Sequence, residues 1–149
     1  MHFLNDFFSN RPLIAAILGW FVAQVLKAVI YAIANRKFEV ERLFGDGGFP
    51  SCHSSTVTAL ATSCCITYGI ASPYFTISAV LALIVMHDAM GVRLETSKQA
   101  KIINDIIEFF DKAGSDLTDE EKLKELVGHT PLQVIAGSLL GLIVAILVG

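Results

Sequence analysis

The chain has 149 residues, 54% of them hydrophobic and 17% charged, with a mean hydropathy of +0.62 and a net charge of −3. That length fits one domain, residues 1–149. So apolar a composition excludes an ordinary soluble fold and names lipid as the solvent, and the acidic balance excludes a nucleic-acid partner. The cysteines, Cys52, Cys64 and Cys65, are odd in number and lack zinc-ligand spacing, so they read as small packing residues.

A spanning helix needs about 20 mostly apolar residues, and in chain order four segments come close. Leu13–Ala34 is the first, carrying Gln24, Lys27 and Tyr31 on one helical face. Its Ala32-Ile33-Ala34 has the form of a signal-peptidase site, but the apolar stretch ahead is too long for a signal h-region and holds Lys27, so it reads as a retained span. Ser54–Ser72 is uncharged and stops at Pro73. Tyr74–Met90 is apolar until His87 and Asp88, and Leu132–Val148 is almost wholly aliphatic. The expectation is an all-α integral membrane protein of four transmembrane helices.

The connection between the third and fourth spans carries a helical insertion over about 94–128. Gln99, Ile102, Ile103, Ile106, Ile107 and Phe110 recur at helical spacing, which predicts an amphipathic helix over Glu95–Lys112. Thr118 and Glu121 form a capping-box pattern for a second, shorter helix that Gly128 would stop. Basic residues set the orientation. Arg11 alone lies on the side shared by the N-terminus, Ser72–Tyr74 and the C-terminus, whereas Arg36, Lys37, Arg42, Arg93, Lys98, Lys101, Lys112, Lys122 and Lys124 lie on the other. The positive-inside rule then puts the N-terminus outside and both long loops in the cytoplasm of a cell-membrane protein.

Ionisable residues inside a span are costly and often functional. Lys27 either snorkels to the interface or joins a polar stripe. Asp88 either pairs with Arg93 or Lys27, or serves a site. His129, Gln133, Gly137, Gly141 and Ala145 are spaced by four, and Gly137-x-x-x-Gly141 is a close-packing motif in lipid. The glycines must face other helices, so Gln133 and His129 face them too. At the same end, Ser51 and Ser54 open the second span. They are either caps alone or part of an anion site on helix N–H groups, with Gly47 and Gly48 allowing close backbone approach. Lys27, Ser51, His53, Asp88, Arg93 and His129 thus converge on one end of the bundle. Two histidines among cations suit phosphoryl transfer through a phosphohistidine, one imidazole attacking phosphorus and the other donating a proton. No carboxylate cluster suggests a metal, and no cofactor is expected.

The stretches "GGFPSCHS", "DAMGVR" and "GHTPLQVIAG" resemble the motifs of a divergent membrane branch of the type 2 phosphatidic acid phosphatase superfamily, related to vanadium haloperoxidases, over residues from about 11 to 149. The resemblance implies phosphate binding by Lys27, Ser51 and Arg93, a general acid in His53 and a nucleophile in His129. Cys52 stands where that pattern has glycine, and Gln133 stands where it has the orienting aspartate, a role also open to Asp88. Four spans are fewer than the six usual in the membrane enzymes, which leaves room for a homodimer. The implied activity is a metal-independent lipid phosphate phosphatase at the cytoplasmic face, with phosphatidylglycerol phosphate as one substrate. The rival expectation is a non-catalytic membrane protein that binds anionic lipid head groups or serves as an assembly partner.

Overall fold

The computed structural model describes residues 2–37, 47–112, 123 and 128–148. Among them there is no strand. The helices are α1 (His2–Ser9), α2 (Arg11–Asn35), α3 (Cys52–Tyr68), α4 (Pro73–Met90), α5 (Val92–Lys112) and α6 (Pro131–Val148). The expected second helix of the insertion, capped at Thr118 and Glu121, lies outside the described residues.

Local signals start and stop these helices. Asn10 caps α2, its side chain accepting from the Leu13 N–H at 3.2 Å, with Pro12 in the first turn where no N–H is missed. Ser72 caps α4 by accepting from the Phe75 N–H at 3.2 Å, ahead of Pro73. The α3 helix ends earlier than expected. Gly69, at φ 85°, returns its N–H to the Cys65 carbonyl at 2.9 Å and breaks the helix before Ser72. The amphipathic helix begins slightly earlier than its apolar stripe, at Val92. The short α1 precedes the first apolar run.

Three helices are long and apolar enough to cross a membrane: Arg11–Asn35, Pro73–Phe110 (which runs α4 on into α5) and Pro131–Val148. Their outer faces carry exposed Phe21, Ile33, Ile77, Leu83, Ile84, Ile146 and Leu147, the surface expected of helices that meet lipid. The fourth expected span, α3, is 17 residues long and sits at the centre, packed against α2, α4 and α6. Its inward residues are small: Ser54, Ser55, Ala59 and Ser63 are fully buried. Small residues let backbones approach, and in lipid that close van der Waals contact drives helix association.

The approach is closest between α3 and α6. A Cβ built on Gly137 would collide with the Ser51 carbonyl, and one on Gly141 with the Ser55 carbonyl. On the opposite side the Ser55 hydroxyl donates to the Gly19 carbonyl of α2 at 2.8 Å, so one residue of α3 is held by both neighbours. Ala15, Ala59 and Ala145, all fully buried, fill the layer beneath.

Gly141→Ala is expected to cost about 1–3 kcal/mol as the added methyl pushes α6 off Ser55. Thermal unfolding in detergent reads this directly. Lipid-facing Leu139→Ala, by contrast, should stay within about 0.5 kcal/mol of the parent.

Candidate functional site

Backbone hydrogen bonds gather three helix ends at one end of the bundle. The Ser51 N–H donates to the Gln133 carbonyl at 3.1 Å, tying the start of α3 to the first turn of α6. The His129 N–H donates to the Ala89 carbonyl at 3.1 Å, tying the approach to α6 to the end of α4. One residue earlier, the Gly128 N–H donates to the Ser97 hydroxyl of α5 at 2.9 Å. Residue 129 therefore has a fixed position relative to α3, α4 and α5 before its side chain is considered.

Ser51 is the N-cap of α3. Its Oγ accepts from the Ser54 N–H at 3.3 Å and from the Ser54 hydroxyl at 3.0 Å. A hydroxyl that accepts twice still has its own proton to give. The amides of Cys52 and His53 belong to the first turn, where helix geometry offers N–H groups no partner inside the helix and the dipole end is positive. Capping and anion binding are thus compatible at this serine.

The Thr130–Gln133 stretch, "TPLQ", is a reciprocal cap that the sequence reading did not identify. The Gln133 N–H donates to Thr130 Oγ1 at 3.4 Å, and the Thr130 N–H donates to Gln133 Oε1 at 2.9 Å. This is the capping box of a helix whose first residue is proline. The signal was present: threonine, then glutamine three residues later, before an apolar run. Its consequence is chemical. Gln133 Oε1 also meets His129 Nδ1 at 3.3 Å. An amide oxygen can only accept, so Nδ1 must carry the imidazole proton, and neutral His129 keeps its Nε2 lone pair. Nε2 is buried and has no hydrogen-bond partner among the described residues, in a side chain only 1% exposed.

The rings of His53 and His129 lie 6.0 Å apart between centroids, tilted by 57°. His53 is half-buried, and its Nδ1 is 3.9 Å from the Cys52 sulfur. Burial pushes the His129 pKa down from its ordinary value, against the upward pull of the Gln133 bond. Electrostatic interactions with His53, Lys27 and Arg93 depress it further. The same interactions place those three side chains within electrostatic reach of His129. Lys27, on α2, is only 4% exposed. Its stem runs beneath the loop, where a Cβ on Gly48 would lie 2.7 Å from Lys27 Cδ, and Gly48 holds φ 118°. Both facts favour glycine there. Lys27 also lines a cleft of about 190 Å³ with Gly47, Gly48 and Phe49. Snorkelling to open water is not its arrangement.

Arg93 is held by Asp88, with Nε to Oδ2 at 2.7 Å. That contact takes one of five N–H donors. Asp88 spends its carboxylate on Arg93, and the group found on the His129 ring is Gln133. Among the described residues, no three His, Cys, Asp or Glu side chains come together as a set able to hold a metal ion.

Because folding lowers the His129 pKa, the unfolded chain binds more protons in the window below 6.5. Stability should be complete above that value and fall as pH drops through the window. Thermal melts across pH 4.5–7.5 in the wild type and in His129→Gln check this, the mutant losing that part of the slope. Imidazole ¹⁵N shifts should report an Nδ1–H tautomer in the wild type, and Gln133→Leu should abolish the preference for it.

Comparison with known proteins places the chain in a family. A family model described as the Divergent PAP2 family matches residues 8–144. The chain is 35% identical over 150 residues, 95% of either chain, to the "Uncharacterized membrane protein YuiD" of Bacillus subtilis (strain 168). No solved structure matches significantly. A match covering nearly the whole chain, joined to a relative at that identity, makes this protein a member of the Divergent PAP2 family.

Proposed function

We propose that the protein is a lipid phosphate monoester phosphatase working through a phosphohistidine at the cytoplasmic face of the membrane. The observation that carries the reading is His129 Nε2: a buried, unpartnered lone pair beside a second histidine and in the field of two further cations. Family membership supports phosphatase-related chemistry in coarse form. In this reading α3 crosses the bilayer as a fourth span, sheltered from lipid by the other three. The basic residues of α5 mark the cytoplasmic side.

His129 Nε2 attacks phosphorus while the O–P bond to the lipid breaks. Protonated His53 gives its proton to the departing oxygen, so the alcohol leaves neutral. Lys27, Arg93, the Ser51 hydroxyl and the first-turn amides of α3 hold the phosphoryl oxygens as charge builds on them. Asp88 keeps the Arg93 guanidinium in place. Water then attacks the phosphohistidine, His53 takes the water proton, and inorganic phosphate leaves with His129 again neutral. Depression of the His129 pKa serves the first step, because only unprotonated imidazole is a nucleophile. Gln133 fixes the tautomer, although a neutral amide stabilises developing imidazolium less than a carboxylate would. Phosphatidylglycerol phosphate suits a cytoplasmic site, and phosphatidic acid and polyprenyl phosphates share the same reacting group.

Phosphate release from these three lipids in mixed micelles, with EDTA present, is the direct test. His53→Ala and His129→Ala should each lower the rate by at least about 10²-fold, the minimum typical of losing a positioned acid or base. Ser51→Ala should lower it less, through one lost phosphate bond. Full rates in both histidine variants would end the mechanism. Lipid binding without turnover in the wild type would instead identify a head-group-binding protein.

A further inference from the structure

A groove of about 460 Å³ runs along the bundle between α4 and α6, floored by Thr58 of α3. Its walls include Met86 and Met90 from α4 and Pro131, Val134, Ser138 and Leu142 from α6. We propose that this groove holds one hydrocarbon chain of the lipid whose phosphate is processed at His129. The inference rests on the phosphatase reading for its head group and adds the determinant for the lipid's tail.

The groove begins near the site. Pro131, at its upper end, is two residues from His129 and lies inside the capping box that orients the imidazole. From Pro131 to Leu142 it extends about 16 Å along α6, at 1.5 Å per residue. One leaflet of hydrocarbon is about 15 Å deep, half of a core about 30 Å thick. A chain hanging from a phosphate at His129 would therefore occupy the groove along the depth of its own leaflet.

The lining suits an alkyl chain. Ser138 has no unmet polar demand, since its hydroxyl donates to the Val134 carbonyl at 3.0 Å and lies 3.1 Å from Met86 Sδ. Met86 and Met90 are the only methionines besides Met1, and both line this groove and a second one on the outer face of α4. Unbranched thioether side chains re-pack around chains of differing length and unsaturation. The groove thus selects for a long hydrocarbon tail without fixing its pattern of double bonds.

The test uses phosphatidic acid with a diazirine midway along one chain, in dioleoylphosphatidylcholine vesicles containing the full-length protein. After a flash, peptide mapping should find adducts concentrated at Met86, Val134 and Ser138. Ser138→Phe and Leu142→Phe, each checked for monodisperse elution, should cut that labelling by about tenfold, the cost of lost contact with roughly two methylenes. Adducts spread evenly over lipid-facing Ile77, Leu83 and Leu147 would overturn the inference. So would cross-links between two copies through this face without lipid adducts. Phosphate release is scored separately. Groove labelling without hydrolysis rejects only the phosphatase reading, and hydrolysis without groove labelling rejects only the chain site.

Discussion

Everything at the candidate site depends on how closely α6 can lie against the start of α3. Gly137 and Gly141 remove the side chains that would hold the helices apart, and the α6 backbone settles onto the Ser51 and Ser55 carbonyls. Only at that separation does the Gln133 carbonyl reach the Ser51 N–H. That bond brings the α6 capping box, and His129 with it, beside His53. In water, apolar burial could supply such an association. In lipid the drive must come from dense contact and satisfied backbone groups, which is why α3 consists so largely of serine, alanine, threonine and cysteine.

The placement of α3 also resolves an apparent conflict in the composition. Its serines would be poor lipid-facing residues, yet they are buried at the bundle centre. There Ser55 bonds across to Gly19, and Ser54 bonds to the cap of its own helix. The large aliphatic residues are left to α2, α4 and α6. One polar helix inside three apolar ones brings hydroxyls and helix N–H groups to the end of the bundle where His53 and His129 meet.

Much of this was legible in the sequence because two periodicities carried it. Long apolar runs marked the helices, and spacing by four placed His129 and Gln133 on the same side as the packing glycines. Positions at the helix ends put Lys27, Ser51, His53, Asp88, Arg93 and His129 at one end of the bundle. What escaped was information that periodicity does not hold. The left-handed φ of Gly69 decides where α3 stops, and a hydrophobic run cannot reveal it. The short α1 precedes the first span and lacks a long apolar signal. Asp88 had two plausible partners in sequence, and only geometry assigns it to Arg93. Gln133 reads in sequence as a departure from a family pattern, whereas in the structure it closes the capping box of α6.

That glutamine ties two local features together. Its oxygen serves two hydrogen bonds at once, to a backbone amide that begins α6 and to the imidazole beside it. Aspartate is one methylene shorter, so the same oxygen could not span both partners from the same backbone position. Any substitution that re-orients the imidazole at this position therefore also disturbs the first turn of the helix. Helix order and ring orientation are thus coupled through one amide oxygen.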